Sequence, residues 1–133
     1  EPYGFRYASL QSSDTKARYS RVLSLLRYVW TKAQRGNAAS VCDAVERFGT
    51  EVLGHRSLWL KVVGSTKAHV LVAAMAGAGR GCRILEIGTY CGYSAIKMAS
   101  SLPGSIIDTL EVDPVHVIVA RNLILFAGLA DCI

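Results

Sequence analysis

The chain has 133 residues, 51% of them hydrophobic and 19% charged, with a formal net charge of +5. That is about one domain's worth of chain, with enough apolar side chains for a core and too few charges for general disorder. No apolar run reaches the roughly 18 to 20 residues of a membrane span, and the apolar stretch VLVAAMA at 70–76 is too short.

Residues 1–13 read as a flexible leader without a secretory pattern, and the first residue is Glu1 rather than Met, so the true start is expected further upstream. Asp14 is the expected cap of a first helix, in which Val22, Leu25, Leu26 and Val29 follow the i, i+3, i+4, i+7 rule. A second helix is expected after Asn37, with Val41, Ala44, Val45 and Phe48 on one face. Gly49 to Gly64 reads as an irregular connection carrying His55, Trp59 and Lys61. Ser65 then caps a third helix, apolar through Val70, Leu71, Ala74 and Met75, and the run GAGRG at 77–81 stops it.

From here the pattern changes. Residues 83–87, RILEI, form a short strand ending at Gly88. Gly92 to Leu102 reads as a helix with Ala95, Met98, Ala99 and Leu102 on one face. Ile106 to Glu111 is a second strand. Asp113 and Pro114 are a cap and a first-turn proline, opening a helix with Val115, Ile118, Val119, Leu123 and Phe126 that Gly128 ends. Strand, helix, strand, helix predicts a parallel α/β sheet. The sequence stops at Asp131–Ile133, where a third strand is expected to begin. Two strands leave one edge unpaired and one face thinly covered, so the expectation is a fragment or truncated product, able to self-associate through its open edge.

Basic residues are spread over 16–35, 47–67 and 80–97. They read as solvated helix faces, not as the dense stripe a nucleic acid would need, although their field favours anionic ligands. Cys42, Cys82, Cys91 and Cys132 contain no C-x-x-C pair, which argues against zinc and for reduced thiols in the cytoplasm. Cys91 reads as a packing residue, and His55, His69 and His116 as isolated surface or core residues.

Chemistry concentrates in EIGTYCGYS, residues 86–94, at a strand-to-helix junction. Gly88 and Gly92 permit a sharp turn and close approach of a ligand to the backbone. The amides opening the next helix favour a negative group there, and Ser94 can add its hydroxyl. Glu111, placed 23 residues after Gly88 at the next strand end, can accept from ribose hydroxyls. A dinucleotide fingerprint would be G-x-G-x-x-G, whereas here the spacing is E-x-G-x-x-x-G. Glu86 suits an ammonium and would repel a pyrophosphate, which favours S-adenosylmethionine over NAD.

The segment LEIGTYCGYSA at 85–95 resembles the first motif of the catechol O-methyltransferases, and LEVDP at 110–114 and FAGL at 126–129 resemble later family segments. LRYV at 26–29, GNAASV at 36–41, and Val63 and Gly64 with Lys67 match the family's N-terminal helices in order. The resemblance implies a Rossmann-like S-adenosylmethionine-dependent methyltransferase fold with N-terminal helices, ending here after the second βα unit, with 14–133 as the N-terminal part of one domain. It implies methyl transfer to a catechol hydroxyl, with Mg2+ assisting. Residue by residue, it implies cofactor contacts at Val63, Glu86, Gly88, Tyr90, Ser94, Glu111 and Val112, and an aromatic wall of the substrate mouth at Trp59. Lys61 stands where the family usually has an apolar residue, and Ser65 where Asp is common. The family's metal ligands and catalytic lysine come from later strands, so no residue of this chain is given those roles. A non-catalytic cofactor- or partner-binding remnant is the alternative, and an NAD-dependent oxidoreductase is disfavoured by the missing central glycine.

Overall fold

The computed structural model describes residues 13–54, 60, 62 and 66–133, and only the backbone of 13–18. The expected leader up to residue 12, Trp59, Lys61, Val63 and the expected cap Ser65 lie outside the described residues.

Helix α1 spans Ser13–Lys32, so Asp14 lies inside its first turn instead of capping it, a shift of the size helix ends commonly show. Val22, Leu25, Leu26 and Val29 are buried as the spacing predicts. Helix α2, Ala38–Arg47, starts where Asn37 accepts the Ser40 N–H at 3.0 Å. Its face of Val41, Ala44 and Val45 is buried, with Phe48 following.

The first part of the expected irregular connection is helical. A π-helix, Phe48–Leu53, continues α2 and ends where the Gly54 N–H donates to the Gly49 carbonyl at 3.2 Å. Gly49 reads as a breaker in the sequence, but it is buried inside a continuous helical path.

Helix α3, Thr66–Ala76, covers only part of the expected face, Leu71 and Met75 but not Val70 and Ala74. Ala68 is buried and Leu71, Val72 and Met75 are partly covered, while Val70 and Ala74 are exposed. A helix apolar nearly all round carries no phase in its sequence, and its neighbours decide which side is covered.

Strands β1, Arg83–Ile87, and β2, Ile106–Leu110, pair in parallel, Arg83 opposite Ile106 through Ile87 opposite Leu110. Helix α4, Tyr93–Ser101, connects them, and helix α5, Pro114–Ala127, follows. Asp113 caps α5 by accepting the Val115 N–H at 3.0 Å, and Gly128 ends it in the left-handed region, φ 78. The buried side of α5 is Val119, Ala120, Leu123, Ile124 and Ala127, while Ile118 points outward, 59% exposed.

Side chains alternate across a strand, so this register sorts the sheet into two faces. On one, Ile107 is buried among Ala95, Met98 and Ala99 of α4. The other carries Leu85 and Ile87, 64% and 83% exposed, together with the exposed Ile106 and Leu110 and the ion pair between Arg83 and Asp108. On the far edge of β2, the Ile107 N–H donates to the Cys132 carbonyl at 2.8 Å, where the sequence places the start of another strand. The main core lies between α1, α2, α4 and α5, on the covered side.

Candidate functional site

The site forms at the carboxyl ends of both strands, the place where parallel α/β sheets hold ligands. The turn from β1 to α4 needs left-handed backbone at Gly88, φ 93, and Gly92, φ 82. Tyr90 between them, φ 52, is the single non-glycine residue of positive φ among the described residues. Such strain persists where surroundings over-determine it. Here the Tyr90 N–H donates to Glu111 Oε2 at 2.8 Å, and its ring packs edge-to-face on His116 with centroids 4.8 Å apart.

Glu111 is tied down by three amides. Besides Tyr90, the N–H groups of Val112 and Asp113 donate to Oε1, each at 2.9 Å. Burial pushes this carboxyl up, but the amides of Asp113, Tyr90 and Val112 and the nearby His116 outweigh it, and its pKa lies below the ordinary 4.5. A carboxylate offers about four lone-pair sites. With two used on Oε1 and one on Oε2, the remaining site is on Oε2, enough to accept one hydroxyl without breaking a bond already made.

Glu86 is engaged from the other side. It accepts from the hydroxyls of Ser94 and Thr109, and Thr109 Oγ1 lies 2.7 Å from Thr89 Oγ1. The two threonines carry no signal in the motif's spacing; the register that sets Glu86 opposite Thr109 brings one of them in. The expectation that Glu86 stands ready for an ammonium therefore needs amendment, because its carboxylate already holds two hydroxyls.

A cavity of about 410 Å³ lies against β1 and the glycine turn. Glu86, Gly88, Tyr90 and Ser94 line it, closed by apolar Leu71 and Met75 from α3 and Met98 from α4. A Cβ built at Gly88 would meet nothing within 4 Å, whereas one at Gly92 would meet Ala120 Cβ at 3.4 Å. Gly88 thus leaves space at the turn, and Gly92 lets α5 approach. Val112 stands beyond Glu111, 90% exposed, with its side chain free to cover a flat group. Cys91 is fully buried, its thiol pushed up to about 12 mainly by burial, in keeping with a packing role. His116, expected to be isolated, is sandwiched between Tyr90 and Tyr19, and its Nδ1 lies 4.0 Å from Asp113.

The structure thus joins Glu86, Gly88, Tyr90 and Ser94 in one cavity and links Glu111 and Val112 to it through the Tyr90 amide. Among the described residues no group of three His, Cys, Asp or Glu side chains comes together to hold a metal, and no helix is long and apolar enough to cross a membrane.

A family profile described as O-methyltransferase matches residues 55–133. The chain belongs to the O-methyltransferase family. Within it, the chain is 36% identical over 119 residues to catechol O-methyltransferase B of Danio rerio, covering 89% of this chain and 43% of that protein. It is 34% identical over 108 residues to catechol O-methyltransferase of Mus musculus, covering 80% of this chain and 38% of that one. The crystal structure of the Bacillus cereus O-methyltransferase in complex with SAH superposes with a TM-score of 0.53 at 30% identity, over 68% of this chain and 40% of the other. The chain therefore spans about two fifths of the length of these family members. The Rossmann-like α/β fold with N-terminal helices is the family's, and the glycine turn and Glu111 lie within the matched residues.

Proposed function

We propose that this chain carries the S-adenosylmethionine side of a catechol-type O-methyltransferase, residues 14–133 forming part of a single domain. The observation that carries this reading is Glu111, ionised, held by three amides, one of them from the glycine turn, and keeping one acceptor site for a ribose hydroxyl. Family membership supports the donor, and the similarity to catechol O-methyltransferases supports the acceptor class.

Bound S-adenosylmethionine supplies a methyl group on a sulfonium, open to in-line attack by an oxygen. The residues of this chain bind and orient it. Glu111 accepts from the ribose, and Val112 covers one side of the adenine. Gly88 leaves its backbone open to the methionine portion, with Tyr90 at the rim and Val63 as a further apolar contact. Ser94 and the first turn of α4 receive the carboxylate. For this, Ser94 turns its hydroxyl away from Glu86, and the acceptor site released on Glu86 suits the ammonium. Trp59 is assigned to the substrate mouth. Holding donor and acceptor near 3 Å is the main service such a site performs. No residue of this chain is assigned as a donor for Mg2+ or as the general base. A reducing, cytoplasmic setting is inferred from the sparse cysteines of the sequence, which contain no C-x-x-C pair.

Calorimetric titration with S-adenosylhomocysteine, beside a Glu111→Ala control, tests the cofactor side. Micromolar binding that the control loses is the expected result, and binding unaffected by the substitution would refute the placement. Transfer of labelled methyl to a catechol in the presence of Mg2+ tests the activity.

A second reading, a non-catalytic cofactor- or partner-binding remnant, is favoured by the open face of Leu85, Ile87, Ile106 and Leu110 beside the edge of β1 that pairs with no other strand among the described residues. On that reading cofactor binds without turnover and the chain self-associates through this edge. Sedimentation with and without Leu85→Lys distinguishes them.

A further inference from the structure

We propose that Tyr19 of α1 is a positioning residue for the ribose-binding carboxylate, acting through Asp113; this rests on the assignment of Glu111 above. The Tyr19 hydroxyl donates to Asp113 Oδ2 at 2.8 Å, across 94 residues of sequence. Asp113 Oδ1 accepts the Val115 N–H at 3.0 Å, so both oxygens of this side chain are held by separate elements. The backbone N–H of the same residue donates to Glu111 Oε1 at 2.9 Å. Tyr19, Asp113 and Glu111 therefore form one chain of hydrogen bonds running from the N-terminal helix to the strand end.

The aromatic contacts run parallel to it. Tyr19 meets His116 edge-to-face at 6.0 Å, and His116 meets Tyr90 at 4.8 Å. Tyr90 supplies another of the three amides on Glu111. One side chain of α1 thus reaches two of the amides that fix the carboxylate, that of Asp113 directly and that of Tyr90 through His116. The pKa of Asp113 is itself held below its ordinary value: burial pushes it up, and the Tyr19 hydroxyl is the foremost of the contacts that outweigh burial. The Tyr19 hydroxyl ties Asp113 to a second element, beside the Val115 amide and His116, and a restrained site loses less entropy when ligand binds.

The test is a double-mutant cycle on the 133-residue chain. S-adenosylhomocysteine affinity is measured for the parent, Tyr19→Phe, Glu111→Gln and the double variant, and amide exchange at Tyr90, Val112 and Asp113 is measured by NMR without ligand. Tyr19→Phe keeps the ring and removes the hydroxyl. It is expected to speed exchange at Val112 and Asp113 and to weaken binding by about threefold to tenfold, less than the full worth of a hydrogen bond to a charged group because the effect reaches the ligand only through Asp113 and Glu111. In the Glu111→Gln background it should add nothing. Equal loss in both backgrounds, or unchanged exchange, would mean that Tyr19 only docks α1 and would overturn the proposal. Should the parent not bind S-adenosylhomocysteine, the cofactor assignment fails, and the exchange comparison still decides whether Tyr19 restrains the amides.

Discussion

Gly88 and Gly92 offer a paired perturbation, because both hold left-handed backbone yet face different surroundings. Their φ angles are 93 and 82. Placing an L-residue in that region costs about 1–2 kcal/mol, and alanine's narrower unfolded ensemble offsets about 0.4–1 kcal/mol of that. A net loss of about 1 kcal/mol is therefore expected for either alanine variant, a noticeable part of the roughly 5–15 kcal/mol that stabilises a typical domain. At Gly92 the new methyl would sit in ordinary van der Waals contact, 3.4 Å from Ala120 Cβ and 3.5 Å from Ile124 Cδ1, on the side away from the ligand, so the backbone strain of about 1 kcal/mol is the whole expected loss. At Gly88 the methyl meets no atom within 4 Å and enters the space assigned to the methionine portion of the ligand. Urea unfolding followed by circular dichroism measures the first quantity, and calorimetry with S-adenosylhomocysteine the second. Gly88→Ala should lose more than about tenfold in affinity, and Gly92→Ala should lose a similar amount of stability while keeping more of the affinity. If Gly88→Ala kept the parent's affinity, the ligand would not lie against this turn and the placement of the site would be wrong.

The depressed carboxylates predict an acid limb. Glu111 and Asp113 have native pKa values below their ordinary 4.5 and 3.8, so their contribution to stability is full above those values and is lost as pH falls through the native ones. Stability measured from pH about 6 down to 3 should fall less steeply in Glu111→Gln than in the parent, and an unchanged slope would contradict the three-amide account. Thiol labelling should separate the cysteines: Cys42 and Cys91, buried with thiols pushed up to about 12, should resist iodoacetamide in the folded chain, while the partly exposed Cys82 and Cys132 react first. Mass spectrometry of the labelled chain would reveal early modification of Cys91 if its packing differs. Tyr93→Phe removes the hydroxyl that donates to Glu46 and so ties α4 to α2. It should cost about 1–2 kcal/mol in urea unfolding, since the carboxylate left behind is within reach of water.

Much of this protein was legible one residue at a time. The β1 boundaries, the Asn37 and Asp113 caps, Pro114 in the first turn of α5 and the left-handed Gly88, Gly92 and Gly128 follow from local preferences that operate before any packing. So does the motif from Glu86 to Ser94, because a strand, a glycine turn and a helix are contiguous in sequence. The apolar faces of α1 and α2 were equally plain, since polar residues mark their opposite sides. Where that contrast is missing, as in α3 and at Ile118 of α5, the inward face was settled only by what the helix packs against. Gly49 shows the same limit, a residue that breaks helices in isolation but sits buried where the π-helix continues α2. The partners of the site depended most on tertiary structure. Strand register brought Thr109 to Glu86, the turn delivered the Tyr90 amide to Glu111, and the docking of α1 set Tyr19 on Asp113. Hydrogen bonds between residues 21 to 94 positions apart leave no local period to read, because they exist only once the elements that carry them have packed.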